Sequence, residues 1–407
     1  VIDGISLEQL ASALESAGMP KVPEEFSVVP VHVQIPRAII ADIGRFIDVF
    51  ERVTTAAPWQ DGVTVTAPAI AQLKRPEVCF FSAWDFHLPP EQPERWQLIE
   101  FNDNGSGFLF AALINDVFYR LARLERDGTL ERPLLFAEFV ERLFVAIEGE
   151  ARRFFGEFPS GLFLILDDAE SLRAGKFQHE LRLLQELFRR RGWEAQVGAP
   201  ADTAWDGSSL RWRGREVSFI VNRSTDFLWQ GEACAALRKA YRDGHLYVAP
   251  NPFTYVTRSD KRLLELLSEP LRDEELGIRP HERAILSAHV PETHLLREEN
   301  LEEIARRKDE FFFKPLYGFG GRGVLTSALV GRSRLRRSLK KGQTYVVQRK
   351  APKSVLVLPK GDARLWTDLR VWAYRGERLL ISSRASRDPD LLDLRSPGGW
   401  LPTYIGV

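Results

Sequence analysis

Cysteine is nearly absent, with Cys79 and Cys234 the two in 407 residues. Two thiols cannot build a disulfide framework, which excludes a small stapled scaffold and favours a reducing, cytoplasmic setting. Neither has a matching His series, so both are expected to be core residues. Long hydrophobic runs are missing as well. The longest, such as Phe108 to Ile114, fall far short of the ~18–20 residues a membrane helix needs, so no membrane partner is expected. There is no internal period and no low-complexity tract. Walker A and Gly-x-Gly-x-x-Gly sequences are absent, as is any Ser-His-Asp or Cys-His signature. The first residue is Val1, so the cytoplasmic expectation rests on cysteine usage and not on a leader. The chain ends at Val407 soon after Gly398-Gly-Trp400, which leaves room for a further closing segment.

What is present is ordinary for globular proteins: 44% hydrophobic residues, 28% charged, 24 prolines and 29 glycines. At roughly 100–200 residues per domain the length fits two to four packed units. Net charge is zero, but Gly331 to Arg387 holds sixteen Lys or Arg against three Asp or Glu, leaving +13 there and −13 elsewhere. Such a block can hold a nucleic acid, a membrane phosphate or a nucleotide triphosphate, and it can equally be a solvated face.

Hydrophobic periodicity predicts amphipathic helices over 7–17 and 38–54, then a hairpin pairing 78–88 with 96–102 across a long loop. Gly105 and Gly107 turn the chain into a helix from Phe108 to about Leu124, and a second helix covers 136–155. The run 162–166, a helix over 178–191 and a strand at 194–197 form a β-α-β unit. With the hairpin turned at Gly214 and the strand 246–249, they predict a small, mainly parallel sheet. The last third carries a helix at 261–267, a strand at 311–314, a glycine-rich turn, an Arg/Lys-rich helix, a strand at 345–348 and a hairpin pairing 369–374 with 378–382.

Chemistry concentrates there. Lys314 leaves a strand into Gly318, Gly320, Gly321 and Gly323, a loop whose amides could fold over phosphates without side-chain obstruction; a plain flexible hairpin reads the same way. Lys261 opens a helix about fifty residues earlier, and Gln348 lies on the strand Tyr345-Val-Val-Gln348. Upstream, Glu100 and Asn102 are two apart on a strand, so both leave one face, and Asp85 across the hairpin adds a third oxygen. Adjacent carboxylates repel unless a cation joins them, so these three are the candidate metal ligands; an exposed polar edge is the bland alternative. His87 shares the face of Asp85, and a lone His is more often structural.

The series Asp260-Lys261, Val290-Pro-Glu-Thr293, Lys314 with its glycine loop, and Gln348 resembles the ATP-grasp superfamily, D-alanine:D-alanine ligase among them. The early hairpin followed by Lys314-Pro-Leu-Tyr-Gly318 resembles its circularly permuted, glutathionylspermidine synthase-like branch. The resemblance covers roughly residues 75–110 and 160–400 and implies ATP and Mg²⁺ as cofactors. It implies Lys261, Lys314, the four glycines and Gln348 at the nucleotide, and Asp85, Glu100 and Asn102 at the metal. The chain departs from the pattern at Ala83, where that branch has a catalytic arginine. Arg370 and Arg384, in segments similar to those of peptide-modifying ATP-grasp ligases, are the candidates to supply the charge. No acid follows the hinge, where Lys350 and Lys353 stand, so the ribose contact is unassigned. Arg223, in a region similar to the acceptor-binding domain, is a candidate substrate contact.

The expected architecture is therefore α/β (α+β), a circularly permuted ATP-grasp fold. It divides into a helical N-terminal segment (1–75), the metal hairpin and its helices (76–158), a small α/β domain (159–254) and a nucleotide-binding region (255–407). The expected activity is an ATP- and Mg²⁺-dependent carboxylate–amine ligase working through an acyl phosphate on small-molecule or peptide substrates. The alternatives are an ATP-grasp phosphotransferase, or a non-catalytic nucleotide- or nucleic-acid-binding protein. The nucleic-acid reading would use the +13 block and needs clustered aromatics on a binding face; no nucleic-acid partner is expected.

Overall fold

The computed structural model describes residues 5–18, 27–75, 77–78, 80–175, 177–316, 323–358 and 364–407. Its centre is an antiparallel sheet running Gly399–Leu401, Glu377–Ser386, Arg364–Tyr374, Ser82–His87, Gln97–Asn102, with Ser354–Val357 added to the long strand Arg364–Tyr374. Strand alternation divides its residues. Trp84, Phe86, Leu98, Phe101, Leu369 and Val371 form an apolar back face, and helix Arg37–Thr55 lies across it. That helix presents Ile39, Ile43, Phe46, Phe50 and Val53 at spacings of three and four, a continuous apolar stripe. The Phe50 ring meets Trp84 edge-on with centroids 4.7 Å apart. The opposite face is covered near Ala83, Trp372 and Trp400 by helix Phe108–Leu121. Beyond that cover it carries Asp85, Glu100, Arg370 and Arg384.

The turn from Gln97–Asn102 into helix Phe108–Leu121 requires glycine twice. Gly105 has φ +51°, and a Cβ there would lie 1.8 Å from the Phe81 carbonyl oxygen. Gly107 has φ +88°, and its Cβ would strike the Trp400 ring at 2.6 Å.

A second sheet holds Leu162–Leu166 between Ala195–Gly198 and Arg215–Asn222, with Tyr247–Ala249 beside the last, all parallel. Leu210–Trp212 and Thr203–Trp205 continue it antiparallel. This is the mainly parallel sheet expected from the β-α-β spacing. The third sheet is antiparallel, ordered Thr293–Leu295, Tyr345–Arg349, Phe311–Pro315. Helices Leu301–Arg306 and Arg332–Lys340 cover it through Leu301, Ile304 and Leu335. The latter is the basic helix, and its Arg332 and Arg336 both reach Glu302, at 2.6 and 2.8 Å. Val33–Pro36 and Thr403–Gly406 form a parallel pair that the sequence reading did not anticipate. Among the described residues no helix is long and apolar enough to cross a membrane.

Candidate functional site

The site grows from register. Asp85 pairs with Glu100 on one side and Arg370 on the other, so the three lie on one pleat row. Asp368, two residues before Arg370 on the same strand, pairs with Arg384 on the neighbouring strand. Arg370 grips Asp85 with both arms of its fork, Nε to Oδ1 and Nη2 to Oδ2 at 2.6 Å each. Arg384 holds Asp368 in the same way, at 3.0 and 2.6 Å, and its Nη2 also lies 3.0 Å from Asp85 Oδ2. The result is an alternating chain of two guanidiniums and two carboxylates, each side chain no more than 10% exposed. Burial alone would raise the Asp85 carboxyl; the two guanidiniums outweigh it and hold the group well below the usual carboxylate range. Burial would likewise lower Arg384, and Asp368 and Asp85 reverse that.

This changes the expected role of Asp85. It faces Glu100 as the hairpin requires, yet both its oxygens are engaged by cationic groups that a divalent ion would have to displace. Both Asp85 oxygens are held by Arg370 and Arg384, and of the three expected ligands Glu100 and Asn102 have oxygens that neither of these guanidiniums engages. Glu100 is partly exposed, and among the described residues no guanidinium holds it. Asn102 keeps its amide oxygen on the turn, accepting from the Gly105 N–H at 3.2 Å. Among the described residues no three His, Cys, Asp or Glu side chains converge as a metal cage. One carboxylate and one amide oxygen still suit Mg²⁺, which retains waters and takes phosphate oxygens as further ligands.

The two lysines arrive beside Glu100 from separate elements. Lys261 Nζ lies 3.8 Å from Glu100 Oε1. Lys314 Nζ donates to the Ile99 carbonyl at 3.0 Å and to Gln348 Oε1 at 2.6 Å. Ile99 is the residue bulged out where Asp85 pairs with Glu100 but Phe86 pairs with Leu98, and the bulge frees its carbonyl. Burial pushes the Lys314 ammonium down to about 8, with Glu100 opposing the shift and Lys261 adding to it. Glu100, Lys261 and Lys314 line one narrow cleft with Ile99, Phe101, Arg258 and Asp260. Gln348 is buried, and its Nε2 has no partner among the described residues. Gly323 has φ +77°, its would-be Cβ 3.1 Å from Pro315. Gly318, Gly320 and Gly321 lie outside the described residues, as does Cys79.

Along the Asn102–Gly107 turn the site continues toward the carboxyl ends of the parallel strands. Arg370 Nη1 donates to the Ser106 carbonyl at 3.3 Å. Arg223 Nε donates to Asn104 Oδ1 at 2.8 Å, and its buried Nη1 has no partner among the described residues. Glu180 accepts the N–H groups of Gly107 and Leu109, each at 2.9 Å, and so caps helix Phe108–Leu121 from another helix. Sequence reading missed this, because Glu180 is one acid among several in an amphipathic pattern. His87 and Cys234 are core groups as expected. Burial drives the imidazole down to about 4, with Nδ1 3.0 Å from the Ala351 carbonyl, and pushes the thiol up to about 12.

No family model and no curated protein matches the chain. Solved structures do. A glutathione synthetase-like effector from Globodera pallida superposes with a TM-score of 0.58 at 13% identity, over 98% of this chain and 96% of that one. The chain shares its fold with glutathione synthetase-like proteins. A gamma-glutamylcysteine synthetase-like protein from Methylobacillus flagellatus matches with a TM-score of 0.51 at 10% identity, over 91% of this chain and 89% of the other. At these identities the likeness is one of fold. In this chain the cleft lies between the central sheet, which supplies Glu100, and the three-stranded sheet that supplies Lys314.

Proposed function

We propose that the chain is an ATP- and Mg²⁺-dependent carboxylate–amine ligase of circularly permuted ATP-grasp architecture. The observation that carries this is the meeting of Lys261, Glu100 and Lys314, from three distant segments, at one cleft, with Asp85 and Arg370 continuing the row of Glu100 on the central sheet. ATP, with Mg²⁺ on its phosphates, would convert a substrate carboxylate to an acyl phosphate, from which an amine displaces phosphate to leave an amide. Lys261 and Lys314 neutralise phosphate charge, and Gly318, Gly320, Gly321 and Gly323 cover it. Glu100 and Asn102 hold the metal, and Gln348 closes the nucleotide pocket. Arg370 and Arg384, fixed by Asp85 and Asp368, present a planar cationic surface to the transferring group; their arrangement is set before substrate arrives, which is how positioning and electrostatics accelerate such a step. Arg223, one turn of chain away with an unpaired buried nitrogen, takes an anionic group of the substrate.

The test is Mg-ATP binding by calorimetry to wild type, Lys314→Ala and Glu100→Ala, followed by a screen of carboxylates and amines for phosphate release. Binding weakened by both substitutions, with phosphate released only when acid and amine are both present, supports the ligase. A phosphorylated product without free phosphate would identify a phosphotransferase. Binding without turnover would match two guanidiniums fully balanced by carboxylates, and absence of binding would refute the proposal.

A further inference from the structure

Residues 255–259 form a π-helical turn, Tyr255–Ser259, closed by the Asp260 N–H donating to the Tyr255 carbonyl at 2.8 Å. Single π turns concentrate at functional sites because the inserted residue redirects side chains. This one turns Arg258 and Ser259, three and two residues before Lys261, back toward the end of strand Gln97–Asn102. Arg258 Nη1 and Nη2 each donate to Glu51 at 2.6 Å, and its Nε lies 3.3 Å from Asp103 Oδ2. The guanidinium sits 5.4 Å from the Phe101 ring centroid. The Asp103 N–H donates to Ser259 Oγ at 2.9 Å. A further tie reaches the turn from the N-terminal segment, where Trp59 Nε1 donates to the Thr257 carbonyl at 2.8 Å.

These contacts join three pieces of chain at a buried point: the helix Arg37–Thr55, the residue following Asn102, and the turn that delivers Lys261. A side chain with 7% exposure and two carboxylate partners on different elements holds one geometry. We propose that Arg258 is a positioning residue that sets Lys261 against Glu100 and Asn102, and that the N-terminal helices thereby take part in forming the nucleotide cleft. This rests on the nucleotide reading of the cleft. It assigns residues 37–64 a task that their sequence did not disclose.

The experiment uses the full chain and Mg-ATP as the probe, with dissociation constants from calorimetry. Arg258→Met removes the clamp and is expected to weaken Mg-ATP about tenfold or more, but it strands two carboxylates and can unfold the protein. Ser259→Ala is the milder variant, expected to keep the wild-type circular dichroism and weaken Mg-ATP about threefold. The decisive readout is coupling. The loss caused by Ser259→Ala should vanish when introduced into Lys261→Met, whose ammonium it positions, and persist in Lys314→Met, whose ammonium comes from another sheet. A general loosening of the fold would give equal losses in both backgrounds, and that result overturns the proposal. So does a folded Ser259→Ala protein with wild-type affinity. Wild type that fails to bind Mg-ATP overturns the nucleotide reading itself, a distinguishable failure.

Discussion

Lys314 should give the cleft a pH dependence that runs in opposite directions for binding and for stability. Its ammonium is enclosed, and burial brings it from 10.5 to about 8 in the folded chain. If the protonated form is the one that holds phosphate, raising the pH from 7 to 9 takes it from about nine-tenths to about one-tenth populated, so Mg-ATP affinity should fall about tenfold, or ~1.4 kcal/mol. Stability of the unliganded protein should move the other way. The folded value lies below the unfolded one, so the unfolded chain binds more protons between about 8 and 10.5, and stability rises with pH across that window. The full shift corresponds to about 3 kcal/mol as an upper bound, since the lysine stem is partly solvated. Calorimetric titration at pH 7, 8 and 9 measures the first effect, and thermal midpoints of the unliganded protein over pH 8 to 10 measure the second. Lys314→Arg supplies the control, because a guanidinium keeps its proton throughout and the binding slope should disappear. A wild-type affinity unchanged between pH 7 and 9, or an equal slope in Lys314→Arg, would refute the assignment of Lys314 to phosphate.

Asp85→Asn should lower stability by about 3–5 kcal/mol, because it leaves two buried guanidiniums with one carboxylate; denaturation followed by tryptophan fluorescence reports it. The same variant should leave the Mg²⁺ concentration dependence of ATP binding unchanged, whereas a metal ligand at this position would shift it. Glu100→Gln is expected to do the reverse, weakening Mg²⁺-dependent ATP binding while moving the thermal midpoint by only a few degrees. Gly105→Ala should destabilise the turn by at least about 2–3 kcal/mol, since φ is positive and a carbonyl oxygen occupies the Cβ position; protease susceptibility and a fall in thermal midpoint check it.

Part of the candidate site's geometry was legible because its signals are local. Glu100 and Asn102 two apart declare a shared face, and alternation in 82–87 declares which residues join them. The tryptophans and phenylalanines between them show that the other face is buried. What stayed hidden depends on register between distant strands. Nothing in Asp85 or Arg370 alone says they are directly opposed, so a carboxylate on a hairpin read as a metal ligand when its nearest groups are guanidiniums. The pair Val33–Pro36 and Thr403–Gly406 was invisible for the same reason: each is four residues long, too short to show a period. The π-helical turn before Lys261 was hidden because its sequence, Tyr255-Val-Thr-Arg-Ser259, carries no Gly or Pro to mark the extra residue.

The opposition of Asp85 and Arg370 spans 285 residues of sequence, and this bears on how the protein is made. During synthesis at about 5–20 residues per second, the hairpin carrying Trp84 and Phe86 waits roughly fifteen seconds to a minute before the strand that completes its sheet is translated. Helix Arg37–Thr55 is made first and can cover the apolar side of that hairpin in the interval. The charged row cannot be completed until Arg370 and Arg384 emerge. Assembly of the cleft is therefore among the last events of biosynthesis, and a nascent chain would hold a shielded hydrophobic half-sheet well before it could handle a nucleotide.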